Sequence, residues 1–169
     1  RRAFAQLLGI LADRVASGAS VSGLVGLVAS ALPDGARVLV PRREFTSVTY
    51  PFAVQAHRGI TLGEADVAEL PDRAAGFDVV AASVVQSSDG TVLDLPALRE
   101  AAQDGGTRVL LDVSQALGWL PLAGGTAGSH RVDWADWVVG ASYKWLLSPR
   151  GAAWLAVRSG SPELVPHSA

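Results

Sequence analysis

The feature that most constrains this chain is the recurrence of short, nearly uninterrupted apolar runs separated by turns and by segments with helical periodicity. Phe77 to Val85 reads as a strand buried throughout. Ala36 to Val40 is apolar apart from Arg37, and Arg108 to Leu111, Trp134 to Ala141 and Ala152 to Val157 repeat the type. Strands need continuous rather than alternating hydrophobicity when helices cover both faces of a parallel sheet. Shorter strands are predicted near Asp13 to Ser17 and near Gly59 to Leu62. Between them, Ala3, Phe4, Leu7, Leu8 and Leu11 recur at three- and four-residue spacing, which predicts an amphipathic helix from Arg1 to about Leu11. Val21 to Leu32 predicts a largely buried helix capped by Ser20, and Thr46 or Ser47 is expected to cap a helix running to about His57. Asp94 caps a helix that Gly105-Gly106 stops. Ala65 to Ala75 is ambiguous and reads as an irregular helix interrupted at Pro71. The alternation predicts an α/β fold, a three-layer αβα sandwich with a mostly parallel sheet. The last strand arrives after the Pro149-Arg150-Gly151 turn, and residues 142–151 between it and its predecessor are too few for a crossover helix, so it should be antiparallel to that predecessor.

At 169 residues the chain is about one domain by length. Apolar residues make up 49% and charged residues 18%, which excludes a disordered chain. A net charge of -2 leaves no basic patch, and the pairs Arg1-Arg2 and Arg42-Arg43 are too short to imply nucleic acid. The longest apolar stretch, Val21 to Leu32, is interrupted by Ser and Gly and is too short to cross a bilayer, so no membrane association is expected. The absence of cysteine removes disulfides and thiolate metal sites and fits a reducing, cytoplasmic setting. His57, His130 and His167 have no metal-ligand spacing. The chain starts at Arg1 without methionine or signal peptide and is read as an excerpt of a longer protein, with Ser159 to Ala169 a linker or frayed end.

Among 14 basic residues only Lys144 is lysine. Where a generic positive charge suffices this composition uses arginine, so position 144 calls for a primary amine, which in apolar surroundings serves as a nucleophile towards an aldehyde. In open parallel sheets ligands bind beyond the carboxyl ends of the strands. Gly18 to Ser20, Phe45 to Ser47, Gln86 to Ser88, Asp112, Gln115 and Ser142 to Lys144 all fall at that edge in the predicted order. An amine, a carboxylate, an aromatic plate and a helix N-terminus suited to phosphate are what an enzyme using pyridoxal 5'-phosphate requires. A nucleotide-binding module would share the sheet, but neither G-x-G-x-x-G nor G-x-x-x-x-G-K-[ST] occurs. Each residue also has an ordinary reading: Phe45 as core filler, Asp112 and Ser20 as caps, Gln115 as a surface amide. Trp134, Trp137 and Trp145 are read as core packing.

Asp112-Val113-Ser114-Gln115-Ala116-Leu117-Gly118, followed by Ser142-Tyr143-Lys144-Trp145-Leu146 and Pro149-Arg150-Gly151, resembles the class V aminotransferase family. That group of fold-type I pyridoxal-phosphate enzymes includes cysteine desulfurases, kynureninases and related C–S lyases. The resemblance spans roughly residues 1–158 and implies the central part of the cofactor-binding large domain, with the small C-terminal domain absent. It implies that Lys144 forms the Schiff base with the cofactor and later shuttles the substrate's α-proton, and that Asp112 keeps the pyridine nitrogen protonated. Gln115 and Gln86 or Ser87 would approach the cofactor's oxygen, and Phe45 would stack on the ring. Ser20, with Gly18 and Ala19, would form the phosphate loop, to which Ser142 and Tyr143 add contacts.

The departures from the pattern point in two directions. Many cysteine desulfurases have histidine where this chain has Phe45 and Tyr143, so the aromatic stacker and Ser-Tyr-Lys are closer to kynureninases, whereas Gln115 points to the desulfurases. The resemblance implies an amino-acid substrate and a homodimer with the site at its interface. Lyase or desulfurase chemistry is favoured over amino-group transfer, and a non-catalytic subunit of the same fold is the remaining alternative. A desulfurase would also need a nucleophilic cysteine, in a later segment.

Overall fold

A computed structural model describes residues 1–124, 130–161 and 164. Helix α1 (Arg2–Leu8) leads through a 3-10 turn at Ala12–Arg14 into strand β1 (Val15–Gly18) and helix α2 (Val21–Ala31). Strand β2 (Arg37–Pro41), helix α3 (Thr46–Ala53) with a 3-10 extension at Val54–Arg58, and strand β3 (Thr61–Ala65) follow. A 3-10 turn at Val67–Glu69 opens helix α4 (Leu70–Ala74), and strand β4 (Val79–Ser83) precedes helix α5 (Leu95–Gly105). Strands β5 (Arg108–Asp112), β6 (Trp137–Ala141) and β7 (Ala153–Val157) complete the sheet.

The seven strands form one sheet in the order β1-β7-β6-β5-β4-β2-β3. From β6 across to β3 every neighbouring pair is parallel. β7 is antiparallel to β6, as its short connection predicts, and β1 is antiparallel to β7, so β1 runs the same way as β6. The carboxyl ends of β1, β2, β4, β5 and β6 therefore share one edge, and β7 starts there, with Ala153 opposite both Gly18 and Ala141.

Successive side chains of each strand enter opposite layers. Val80, Ala82, Val109, Leu111 and Val138 join Phe4, Leu8, Leu70 and Leu98 on the side covered by α1, α4 and α5. Val79, Ala81, Leu110, Trp137 and Val139 join Leu24, Val28, Val48 and Phe52 on the side covered by α2 and α3. The result is the expected three-layer sandwich. Gly140 is required by a close approach: a Cβ there would lie 2.9 Å from Val113 and 3.2 Å from the Phe4 ring.

Several boundaries differ from the periodicity. α1 stops at Leu8 because Gly9, at φ 69°, turns the chain and returns its N–H to the Ala5 and Gln6 carbonyls, leaving Leu11 exposed. Asp13 and Gly59 lie outside β1 and β3, in turns. Pro71 begins α4 instead of interrupting a helix, in the first turn where its missing N–H has no helical partner to lose. Neither Thr46 nor Ser47 caps α3; Phe45 holds that position and offers no side-chain bond. Trp137 is core, whereas Trp145 is 55% exposed, so its reading as packing is corrected. The expected linker at 159–169, with His167, lies outside the described residues apart from 159–161 and 164.

Candidate active site

The strand ends enclose a cavity of about 280 Å³ whose walls include Ala19, Ser20, Phe45, Ser87, Asp112, Gln115, Tyr143 and Lys144. They come to it from the carboxyl ends of β1, β2, β4, β5 and β6, and each turn has a local reason for its shape. Asp112 is the last residue of β5, directly opposite Ser83 on β4. Its Oδ1 accepts the Ser114 N–H at 2.7 Å, while the Ser114 hydroxyl accepts the Ala141 N–H at 3.0 Å and so joins the ends of β5 and β6. Immediately beyond Ala141 the chain turns, with the Ser148 N–H on the Ser142 carbonyl at 3.2 Å, and this turn presents Lys144. The Lys144 Nζ lies 5.7 Å from the ring centroids of both Phe45 and Tyr143. Two aromatic rings therefore flank the amine, within a cavity that Ser20, Ser87, Asp112 and Gln115 also line.

Burial pushes the Asp112 carboxyl up to about 6. Bonds from Ser114 act against that rise, the Glu44 charge adds to it, and the Lys144 charge opposes it. A buried carboxylate with raised basicity is a strong acceptor for a hydrogen bond from a cationic N–H.

Ser20 caps α2 through its hydroxyl, which accepts the Gly23 N–H at 3.1 Å. That leaves the remaining first-turn amides and the positive end of the helix facing the cavity wall formed by Ala19, Ser20, Val21 and Ser22, a setting for an anion. On the facing side the Gln115 Nε2 donates to the Ser87 Oγ at 3.2 Å. Of Gln86 and Ser87, Ser87 lines the cavity, while Gln86 is buried on Glu44 and the Ser83 carbonyl.

Two expected contacts fall elsewhere. The Ser142 hydroxyl has the carbonyls of Ala152 and Pro149 as acceptors, at 3.1 and 3.4 Å, and the residue is 1% exposed, so its single O–H is committed within its own turn. Gly18 is the last residue of β1 and packs on Leu24, which a Cβ would approach to 2.9 Å; it shapes the loop but does not line the cavity. Phe45, with core filler as its ordinary reading, is 42% exposed and lines the wall.

Ser47, expected at this edge, also lines the cavity, and other lining residues were missed: Ser22, Ser83 and Ser114 add hydroxyls, and Arg150 adds a guanidinium 4.4 Å from the Tyr143 ring centroid. Arg150 stands beside the Lys144 turn because β7 returns antiparallel, and the predicted hairpin could have revealed it. Glu44 is a buried carboxylate next to Phe45. Among the described residues no cluster of His, Cys, Asp and Glu could hold a metal, and no helix is long and apolar enough to cross a membrane.

These residues fit pyridoxal 5'-phosphate. The cavity offers an amine, a buried carboxylate, an aromatic face and a helix N-terminus on separate walls, matching the aldehyde, ring nitrogen, ring face and phosphate of that molecule.

No protein-family model matches the chain. It is 30% identical to an isopenicillin N epimerase from Amycolatopsis lactamdurans over 92% of this chain and 42% of that protein. It superposes on the apo cysteine desulfurase of Thermococcus onnurineus NA1 with a TM-score of 0.79 at 20% identity, covering 94% of this chain and 41% of that one. A ureidoglycine-glyoxylate aminotransferase from Bacillus subtilis gives a TM-score of 0.69 at 20% identity over 91% and 41% of the two chains. A structure of SPT with a PLP internal aldimine gives 0.72 at 19% identity over 94% and 41%. The chain thus spans less than half the length of the proteins it matches. With its seven-stranded mixed sheet, flanking helices and these neighbours, the chain has the fold of the class V, fold-type I pyridoxal-phosphate enzymes that its motifs resemble.

Proposed function

We propose that this chain is the cofactor-binding core of a pyridoxal-phosphate enzyme acting on an amino acid. The observation that carries this is the opening of Lys144 and Asp112 into one cavity that also offers Phe45 and the N-terminus of α2. Lys144 would hold the cofactor through its Nζ, Asp112 would pair with the ring nitrogen, Phe45 would cover the ring, and Ala19 and Ser20 would receive the phosphate. Gln115 and Ser87, bonded to each other, present one polar wall to the ring's oxygen. The cofactor, when bound, supplies an electron sink for the α-carbon of the amino acid. With the cofactor bound, the Lys144 Nζ would be the group that moves the substrate's α-proton, between the Phe45 and Tyr143 rings that stand 5.7 Å from it.

Cleavage or elimination beyond the α-carbon, of the lyase or desulfurase kind, is the favoured outcome, supported by the similarity to a cysteine desulfurase and by the resemblance of the motifs. Amino-group transfer is the second reading, supported by the similarity to an aminotransferase. The protein works in the cytoplasm as a homodimer with the site at the interface. The absence of cysteine favours that compartment, and exposed Trp119, Trp145 and Leu147 near the Lys144 turn favour a covered face there.

The test is chemical. Pyridoxal 5'-phosphate added to the full-length protein should give a visible absorption band, and borohydride should fix the label on the peptide containing Lys144. Folded protein that takes up no label at Lys144 overturns the reading.

A further inference from the structure

Glu44 is 8% exposed and sits in the turn between β2 and α3, immediately before Phe45. Its Oε1 accepts the Phe45 N–H at 2.7 Å and the Ser83 hydroxyl at 2.6 Å. Its Oε2 accepts the Ser83 N–H at 2.7 Å and the Gln86 Nε2 at 3.1 Å. A carboxylate has about four acceptor positions, so all of them are engaged and every partner is a donor. Such a group has no acceptor position left for a substrate; it can only hold things in place. What it holds are two residues of the cavity wall, Phe45 and Ser83, brought from strands β2 and β4.

The turn itself needs holding. Arg43 has φ 61°, the left-handed region that a side chain disfavours, and such a conformation persists only where its surroundings fix it. The bond from Arg43 Nη2 to Asp89 is exposed and weak, and besides the backbone bonds of the turn, Glu44 N–H to the Pro41 carbonyl at 3.1 Å and Arg42 N–H to the Ala65 carbonyl at 2.7 Å, the buried side-chain bonds of Glu44 hold it.

We propose that Glu44 is a positioning residue of the site: its saturated carboxylate fixes the Phe45 ring and the Ser83 hydroxyl at the cavity and sets a negative charge against Ser83, the residue paired with Asp112 across β4 and β5. The charged groups acting on Asp112 are Glu44 from the β2–α3 turn and Lys144 from the turn after β6; Tyr143 and Arg150 line the same cavity. The inference rests on the proposed function for the identity of what the cavity binds. The Asp112 readout does not, because it is taken without cofactor.

The experiment uses full-length apoprotein with carbon-13-labelled aspartate carboxyls. In Glu44→Gln the Asp112 titration midpoint should fall by roughly half a pH unit or more, since a neighbouring negative charge is removed. The Asp136 resonance, from the opposite edge of the sheet, serves as reference and should not move. An unchanged Asp112 midpoint in folded Glu44→Gln overturns the charge role. Glu44→Asp keeps the charge on a shorter arm, so Asp112 should stay near the wild-type midpoint while binding of pyridoxal 5'-phosphate weakens about tenfold, as expected for one or two lost hydrogen bonds. This variant carries the test if Glu44→Gln does not fold. Cofactor affinity within about twofold of wild type, where a preserved hydrogen-bond set would leave it, overturns the positioning role. Wild-type protein that binds no pyridoxal 5'-phosphate refutes the proposed function instead, and the Asp112 titration still reports on Glu44.

Discussion

Asp112 concentrates the chemistry of the site in one residue, and its environment makes a thermodynamic prediction. The folded protein holds the Asp112 proton up to about 6, against 3.8 for the free side chain, so the folded state binds that proton more tightly than the unfolded state. Its contribution to stability is fully present below about 3.8 and is lost as pH rises towards 6. Above that the buried charge costs about 2–3 kcal/mol in the apoprotein, at 1.36 kcal/mol per unit. Asp112→Asn should therefore raise apoprotein stability at pH 7 and flatten its dependence between about pH 4 and 6, as read by denaturant titration across that range. The same variant should retain cofactor and lose turnover, because the ring loses the partner that keeps it protonated. A variant with wild-type turnover would remove Asp112 from the mechanism.

Strands and their turns decide which polar residues meet, and the two edges of the sheet use carboxylates differently. At the amino edge Asp136, just ahead of β6, accepts the Val109 N–H at 2.9 Å, the Arg158 guanidinium at 2.7 Å and the Ser161 hydroxyl at 2.9 Å. Asp136→Ala should cost about 2–3 kcal/mol in a denaturant melt, because it leaves a buried N–H and a partly buried cation without partners. Arg42→Ala, which removes only the exposed pair with Asp66, should cost less than about 1 kcal/mol. The strands, α5 with its Asp94 cap, and the placing of Asp112 and Lys144 at strand ends were legible because hydrophobic runs and cap residues act locally. Glu44 was not legible: after a strand a glutamate resembles any solvated turn residue, and its partners Ser83 and Gln86 lie about forty positions further along. Trp145 misled for the converse reason, since a large aromatic residue suggests core until the fold leaves it uncovered. Gly18 and Ser142 sit in the expected loops, but side-chain direction within a loop follows from packing and bonds that the sequence does not display.

In the whole molecule, β1 is made early in the chain and pairs only with β7, which is made late. Ser17 and Gly18, which lead into the α2 cap, acquire their sheet partners Trp154 and Ala153 only when nearly all of the described chain has been formed. Ending the polypeptide after Pro149 should therefore unseat β1 and α2, with loss of cofactor labelling at Lys144 although Lys144 and Asp112 are both retained. Hydrogen exchange of the truncated protein should show β1 and α2 unprotected while β4 and β5 remain slow. The closure also sets the order of events during synthesis. Along the described chain, β2 to β6 come as a nearly complete parallel core before β1 has its partner strand, and such long-range closures are slow. Among the described residues the cavity wall at Ala19 to Ser22 is then late to be fixed, so the chain passes through a stage in which Lys144 already stands at its strand end while that wall is still unplaced.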